Sequence, residues 1–197
     1  MRKVVVNEFM SLDGVVQAPG GPDEDESGGF RYGGWHLSYF DEVSQGWVLD
    51  GILSAGAFLL GRRTYEIFAG YWPTAGEEEQ VIAEPLNTRP KHVASRTLTG
   101  SLEWENSTVL EGEIAEAVAA LKEDDGGDVH VIGSAELVRS LFEHGLVDEL
   151  RVMVDPLVLG GGKRIFSDDG VRRPLRLVDG KVTSTGAFLA TYAPAAE

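Results

Sequence analysis

Two stretches of this chain run from an apolar strand through a glycine into a helix. They are LLGRRTYE at residues 59–66 and VHVIGSAELVRSLF at residues 129–142. At such a junction the first N–H groups of the helix have no partner within the helix, and the helix dipole is positive there, so the junction can hold a phosphate oxygen. Two junctions of this kind predict a diphosphate ligand.

The first junction also carries Arg62 and Arg63 beside Thr64. Two guanidinium groups and a hydroxyl suit a further phosphate, such as the 2′-phosphate of NADP. Neither junction has the GxGxxG or GxxxxGK[ST] spacing, so a different nucleotide-binding fold is required. From the residues alone, two plainer interpretations stay open. The arginines can be solvated groups on a surface helix, and the second junction can be a small-residue turn that lets helix and strand pack closely.

Extended and helical patterns alternate through most of the chain. Extended patterns cover residues 2–9, 57–60, 91–95, 107–110 and 128–132, and helical patterns cover residues 40–53, 64–68, 114–121 and 137–142. This alternation predicts parallel strands with crossover helices on both faces of a sheet. Residues 150–158, 175–182 and 187–192 have no convincing helix between them, which predicts an antiparallel return. We therefore expect one α/β domain over residues 1–197 with a mixed, mainly parallel sheet.

Composition excludes several classes of partner. A net charge of −15 repels nucleic-acid phosphates and anionic lipid headgroups at long range. The apolar runs are too short to span a membrane, and no signal-peptide core follows the N-terminus, which predicts a cytoplasmic protein. There is no cysteine, and the four histidines lack metal-ligand spacing, so we expect no disulfide and no metal site. A small molecule is the expected partner.

Five segments, in this order, resemble the dihydrofolate reductase superfamily, and more closely its branch that contains the C-terminal reductase domain of bacterial riboflavin biosynthesis enzymes. The resemblance spans nearly the whole chain and implies a three-layer dihydrofolate reductase-like fold, an NADPH cofactor and hydride transfer to a small heterocyclic substrate. The segments are SLDGVV at 11–16, LLGRRTYEIFAGYWP at 59–73, HVAS at 92–95, VIGSAELVRSLFEHGLVDEL at 132–150 and LVLGGGKRIF at 157–166.

The resemblance also implies roles for individual residues. At the first junction, Arg62 and Arg63 are expected to bind the 2′-phosphate, while Thr64 and the backbone of Gly61 face the diphosphate. Contacts to the adenosine side come from the end of the HVAS strand, and Val16 lies against the nicotinamide. The remaining expected cofactor-binding residues are Ser95 and Arg96 after that strand, and Gly133, Ser134, Ala135 and Glu136 at the second junction.

The sequence says less about the residues that contact the substrate than about those that bind the cofactor. Residues 18–34 are rich in Gly, Pro, Asp and Glu, and their position matches the mobile active-site loop of the resembled family, although a solvated acidic excursion is an equally good interpretation of their acidic part. Trp35 closes this loop near the expected substrate cleft and is a candidate substrate contact. Folate-reducing members of the resembled family place a carboxylate early in the helix after the loop, which makes Asp41 a candidate proton donor, with water as the alternative source. The plainer interpretation of Asp41 is a carboxylate that favours the helix dipole.

The identity of the substrate also stays open. Riboflavin-pathway reductases commonly carry a glutamate just before the glycines of the second junction, and this chain has Ile132 there. The resemblance therefore suggests a pterin-like or riboflavin-precursor-like substrate without fixing either. A protein of the same fold that binds NADP(H) as a sensor or sequestering module, without turnover, is the alternative function. We also expect a homodimer, because the C-terminal strands leave a sheet edge that pairing would protect.

Overall fold

The computed structural model describes residues 1–195, in which eight strands form one sheet. The strands are β1 (Val4–Ser11), β2 (Ala57–Gly61), β3 (Lys91–Ala94), β4 (Ser107–Val109), β5 (Val129–Ile132), β6 (Glu149–Asp155), β7 (Leu175–Val182) and β8 (Phe188–Pro194). Their spatial order is β4-β3-β2-β5-β1-β6-β8-β7. The strands from β4 to β6 are parallel, and β8 and β7 pair antiparallel to their neighbours. The mixed sheet and its antiparallel C-terminal return are as predicted.

Helices cover both faces of this sheet, which gives the three layers of a dihydrofolate reductase-like fold. The helices are α1 (Glu42–Ser54), α2 (Arg62–Tyr71), α3 (Gln80–Thr88), α4 (Ile114–Glu123) and α5 (Ala135–Glu143). On one face, Ile52 of α1, Tyr65 of α2 and Leu86 of α3 pack against Phe58 and other residues of β2 and β3. On the opposite face, α4 and α5 bury a Val- and Leu-rich surface against β1 and β5. Fully burying one such side chain stabilises the fold by about 1.5–3 kcal/mol.

The sequence patterns did not predict α3. A proline, Pro85, lies inside this helix, and a short 3-10 helix at Glu77–Glu79 leads into it. Both features weaken the helical pattern, because proline lacks a backbone N–H and the preceding residues are polar. The helix forms because Ala83, Pro85 and Leu86 are buried. Tertiary packing, rather than local preference, therefore determines this element.

The parallel strands end at one edge of the sheet, and the loops that follow them meet there. Leu59 lies beside Val131, and Val6 also lies beside Val131, so β2, β5 and β1 are neighbours in register. The junctions predicted to bind phosphate follow β2 and β5 directly. The topology thus brings both junctions to the same edge, although about 70 residues separate them in the chain. No helix within residues 1–195 is long and apolar enough to cross a membrane.

Candidate active site

A large cleft of about 1420 Å³ opens at the carboxyl edge of the parallel strands. Its walls come from the end of β1, the loop at residues 16–25, one side of α1 and both glycine junctions. Of the residues expected to bind a cofactor, all line this cleft: Val16, Gly61, Arg62, Arg63, Thr64, Ser95, Arg96, Gly133, Ser134, Ala135 and Glu136. The fold therefore gathers these residues from four separate segments into one concave site.

The two glycine junctions touch each other at the floor of the cleft. A Cβ at Gly61 would overlap the side chain of Ser134, and a Cβ at Gly133 would lie 2.8 Å from Oγ1 of Thr64. Gly133 also has a φ of +52°, which side chains rarely allow. Glycine at both positions is therefore required for this close approach.

Both helices at these junctions begin without a side-chain cap. No side chain accepts a hydrogen bond from the first turn of α2, whose N-cap is Gly61, and the hydroxyl of Ser134 does not cap α5. Caps normally satisfy one of the free N–H groups of a helix start. Two uncapped helix starts in contact at one cleft provide the donors that a diphosphate needs.

The arginines near the first junction have different partners. Arg62 makes an ion pair with Glu66 one turn away, at 2.9 Å between Nη1 and Oε1, and is 43% exposed. Arg63 is bound to the carboxylate of Asp25, in the acidic loop. Arg96 is exposed at the rim and has no ion-pair partner within the part of the chain that the structure describes. An exposed pair such as Arg62–Glu66 contributes only about 0.3–0.5 kcal/mol, so a phosphate can displace Glu66.

The acidic loop at residues 18–34 is folded onto the cleft. Asp25 bridges Arg63 and Lys163, with 2.6 Å between its Oδ2 and the Lys163 ammonium. The amide of Gln17 donates to the carbonyl oxygens of Asp25 and Ser27, at 2.9 Å each. These contacts hold the loop across the rim, and they neutralise Arg63 in this arrangement.

Trp35 does not line the cleft, contrary to its expected role as a substrate contact. It is 8% exposed, and its indole N–H donates to the carbonyl of Gln17 at 2.8 Å. It packs with Val15, Ala18 and Phe30 under the loop. The structure therefore places Trp35 as a support for the acidic loop.

Asp41, the expected proton donor, also lies outside the cleft lining. Its Oδ1 accepts from the backbone N–H groups of Val43 and Ser44, which caps α1, and its Oδ2 accepts from the hydroxyl and N–H of Ser184. The hydroxyl of Ser184 and then the N–H of Ser44 hold the pKa of Asp41 well below its usual range. The structure thus places Asp41 as the cap of α1, bound to Ser184 and outside the cleft, rather than at the position expected of a proton donor.

Glu8 is a cleft residue that the sequence patterns did not single out. It lies on β1, one of the two central strands of the sheet, and is 8% exposed. Burial raises its pKa from 4.5 to about 8, with the backbone of Gly133 opposing the shift and the charge of Glu24 adding to it. The only signal in the sequence is a charged residue inside the β-branched run VVVNEF.

Beside α1, the wall of the cleft carries two polar side chains that were not predicted, Asn7 of β1 and His130 of β5. The side-chain amide of Asn7 lies 3.2 Å from Nδ1 of His130, and Arg151 stacks on Trp47 at 4.6 Å from the ring centre. Burial, together with the charge of Arg151, lowers the pKa of His130 to about 4, so this imidazole is neutral at pH 7. Phe9 and Val48 complete an apolar surface beside these groups. This wall can accept a flat, polar ring.

Comparison with known proteins agrees with this architecture. The chain is 26% identical over 194 residues to the uncharacterized protein YyaP of Bacillus subtilis strain 168, covering 97% of this chain and 94% of YyaP. The crystal structure of a pyrimidine reductase-like protein from Corynebacterium diphtheriae has a TM-score of 0.68 at 12% identity, covering 100% of this chain and 93% of that one.

A longer protein of known structure shares the same fold. It is the diaminohydroxyphosphoribosylaminopyrimidine deaminase/5-amino-6-(5-phosphoribosylamino)uracil reductase of Thermotoga maritima, with a TM-score of 0.63 at 17% identity, covering 98% of this chain and 57% of that one. The model of the RibD C-terminal domain matches residues 2–189. The chain therefore belongs to the RibD C-terminal domain family.

Proposed function

We propose that this protein is an NADPH-dependent reductase that acts on a small heterocyclic or carbonyl substrate. One observation carries the proposal: the uncapped starts of α2 and α5 meet at the floor of a single large cleft, with glycine where each backbone approaches the other. A dinucleotide diphosphate matches this arrangement, since its oxygens can accept hydrogen bonds from N–H groups of both helices.

The residues around the helix starts also fit a phosphorylated dinucleotide. Arg62 and Arg96 are exposed at the rim and available to a 2′-phosphate, whereas Arg63 must first leave Asp25. Because the whole chain carries a charge of −15, an anionic ligand needs such local cations at short range. When bound, the dihydronicotinamide of NADPH supplies the hydride.

The protein's own groups then bind, orient and exclude water. Val16 is 7% exposed and forms an apolar wall of the cleft, suited to one face of a nicotinamide ring. The acidic loop, held by Asp25, covers the rim and restricts water. Asn7 and the neutral His130 lie on the other wall, where they can orient a ring that both donates and accepts hydrogen bonds.

This second wall supports a substrate of the pterin-like or riboflavin-precursor-like class. The reductase named in the Thermotoga maritima protein acts on such a pyrimidine, as its name states. In this chain, position 132 is isoleucine, and it packs with the apolar cluster of α1–α3. We therefore propose a planar heterocycle that is recognised by Asn7 rather than by a carboxylate at position 132.

The test is NADPH oxidation, followed at saturating cofactor with pterins, riboflavin precursors, quinones and small ketones. Turnover with a member of one class supports the proposal and identifies the substrate. Tight NADPH binding without NADPH oxidation in the presence of any candidate favours the alternative function, a sensor or sequestering protein.

A second measurement tests the cofactor site itself. The double variant Arg62→Ala/Arg96→Ala removes the two rim arginines that the acidic loop does not hold, and the matched control is Arg172→Ala, an exposed arginine outside the cleft. A charge-assisted contact is worth about 1.5–3 kcal/mol, so NADPH binding should weaken at least tenfold while NADH binding changes little. Equal weakening of both nucleotides contradicts the 2′-phosphate assignment.

A further inference from the structure

We infer that Glu8 donates the proton that accompanies hydride transfer. The inference rests on the proposed function, because it assigns to one residue the proton that reduction of a C=N or C=O bond requires. Neither the match to the family model nor the similar proteins assign a role to this position.

Glu8 lies at the floor of the cleft. In β1, Asn7 lies beside Ile132 of β5, so Glu8 comes next to Gly133, at the second glycine junction. Glu8 points to the same face of the sheet as Val4 and Val6, since strand residues alternate. Val16, the proposed wall for the nicotinamide, belongs to the cluster on this face. The carboxyl group therefore lies at the cleft floor on the side of the proposed nicotinamide wall, one residue along β1 from Asn7 of the proposed substrate wall.

One carboxyl oxygen of Glu8, Oε1, is buried and has no hydrogen-bond partner among the described residues. The backbone N–H of Gly133 favours the ionised form, but burial outweighs it, because an anion with one oxygen left unpartnered in the interior is costlier than the protonated acid. An acid that keeps its proton at neutral pH and opens onto a ligand site is what general-acid catalysis requires.

The charged groups near Glu8 do not favour its ionised form. Glu24, in the acidic loop, adds negative charge, and its own Oε2 accepts from the N–H groups of Gly20 and Gly21 at 2.7 and 3.1 Å. Asp25 and its partners Arg63 and Lys163 form a closed ionic cluster at the rim. His130 lies on the opposite face of the sheet and is neutral. No cation in the described chain pairs with Glu8, so its proton is retained.

The other acidic side chains of the cleft are less suited to this role. Glu24 and Asp25 are tied to the backbone and to cations, as described above. The remaining three, Asp23, Glu113 and Glu136, are exposed to solvent. Within residues 1–195, Glu8 is thus the one cleft carboxyl group that is both buried and free to donate.

Reduction moves one hydride and one proton to the substrate. The substrate carbon accepts a hydride, and the electron pair of its double bond moves to the adjacent nitrogen or oxygen. That atom takes the proton of Glu8: the O–H bond of the carboxylic acid breaks and an N–H or O–H bond forms. Glu8 remains as a carboxylate and regains its proton from water before the next turnover.

The experiment compares wild type with Glu8→Gln, which keeps the shape and hydrogen-bonding capacity of the side chain but has no acidic proton. The control is Glu84→Gln, the same substitution at an exposed glutamate of α3. We expect Glu8→Gln to lower kcat by a factor of about 10² to 10⁴ while the Kd for NADPH changes by less than about twofold. We also expect wild-type kcat to fall above pH 8, and Glu8→Asp to restore part of the activity.

A readout independent of turnover is the ¹³C chemical shift of the Glu8 carboxyl carbon, assigned by its absence in Glu8→Gln and followed from pH 4 to pH 9. We expect the protonated form at pH 7. An ionised Glu8 at pH 7 overturns the inference, and so does a Glu8→Gln variant with wild-type kcat. A weaker Kd for NADPH with unchanged kcat also overturns it, because Glu8 then only binds the cofactor. Wild-type protein that reduces none of the candidate substrates overturns the proposed function together with this role.

Discussion

The burial of Glu8 has a consequence for stability that does not depend on any ligand. Its pKa is about 8 in the folded protein, against 4.5 as its ordinary value. The folded state thus keeps a proton that the unfolded state releases, so the stabilisation that this proton gives is complete below pH 4.5 and is lost as the pH rises to about 8. At about 1.36 kcal/mol per pKa unit, the loss is on the order of 5 kcal/mol.

Glu8→Gln removes this dependence, because glutamine does not titrate. Urea unfolding of wild type and variant at intervals from pH 5 to pH 9 gives the difference in the free energy of unfolding at each pH. We expect the variant to gain stability relative to wild type as the pH rises, by several kcal/mol over this range, while Glu84→Gln follows wild type. If the free energy of unfolding depends on pH in the same way in wild type and Glu8→Gln, the reasoning is refuted, because Glu8 would then have the same pKa in the folded and unfolded states.

Three further predictions concern other parts of the molecule. Asp41→Ala should lower the melting temperature by several degrees and leave the kcat of any observed turnover unchanged, because Asp41 caps α1 outside the cleft; a large loss of kcat at normal stability would restore its candidacy as a proton donor. Asp25→Asn should tighten NADPH binding several-fold in a fluorescence titration, since it frees Arg63 and Lys163; weaker binding would show that the loop must be anchored for the ligand to bind. We propose that the exposed edge strand β7, where Leu177, Val178 and Val182 are at least half exposed, pairs with a second copy of the chain. Light scattering should then give a mass twice the 21.3 kDa of one chain, and a measured mass of 21.3 kDa would contradict the proposal.

The parts of the fold that follow from local sequence were predicted, and the parts that depend on distant contacts were not. The glycine junctions are local patterns, since a strand, a glycine and a helix occur within about ten residues, and in the structure both of them line the cleft. By contrast, α3 depends on the burial of Leu86, and its proline obscures the helical pattern. Packing against the rest of the sheet is not visible in that stretch of sequence.

The same distinction applies to the site residues. Glu8 resembles any charged residue in a strand until the sheet order places β1 between β5 and β6, where its side chain is buried. Arg63 was expected to face a phosphate, but its partner Asp25 lies 38 residues earlier, and only the folded loop brings them together. Trp35 follows the loop in sequence, yet the loop turns back and covers it. Sequence patterns thus identified the candidate phosphate-binding elements, and tertiary structure was needed to find the proposed proton donor.

The central claim is that NADPH binds with its diphosphate at the joined starts of α2 and α5. The most direct measurement is an NADPH titration of ¹⁵N-labelled protein, followed through the backbone amide signals. We expect the largest shifts at residues 61–64 and 133–136, with smaller ones along the acidic loop. Saturating NADPH that leaves these eight amides unchanged, or that shifts only signals far from the cleft, would contradict the assignment of both junctions.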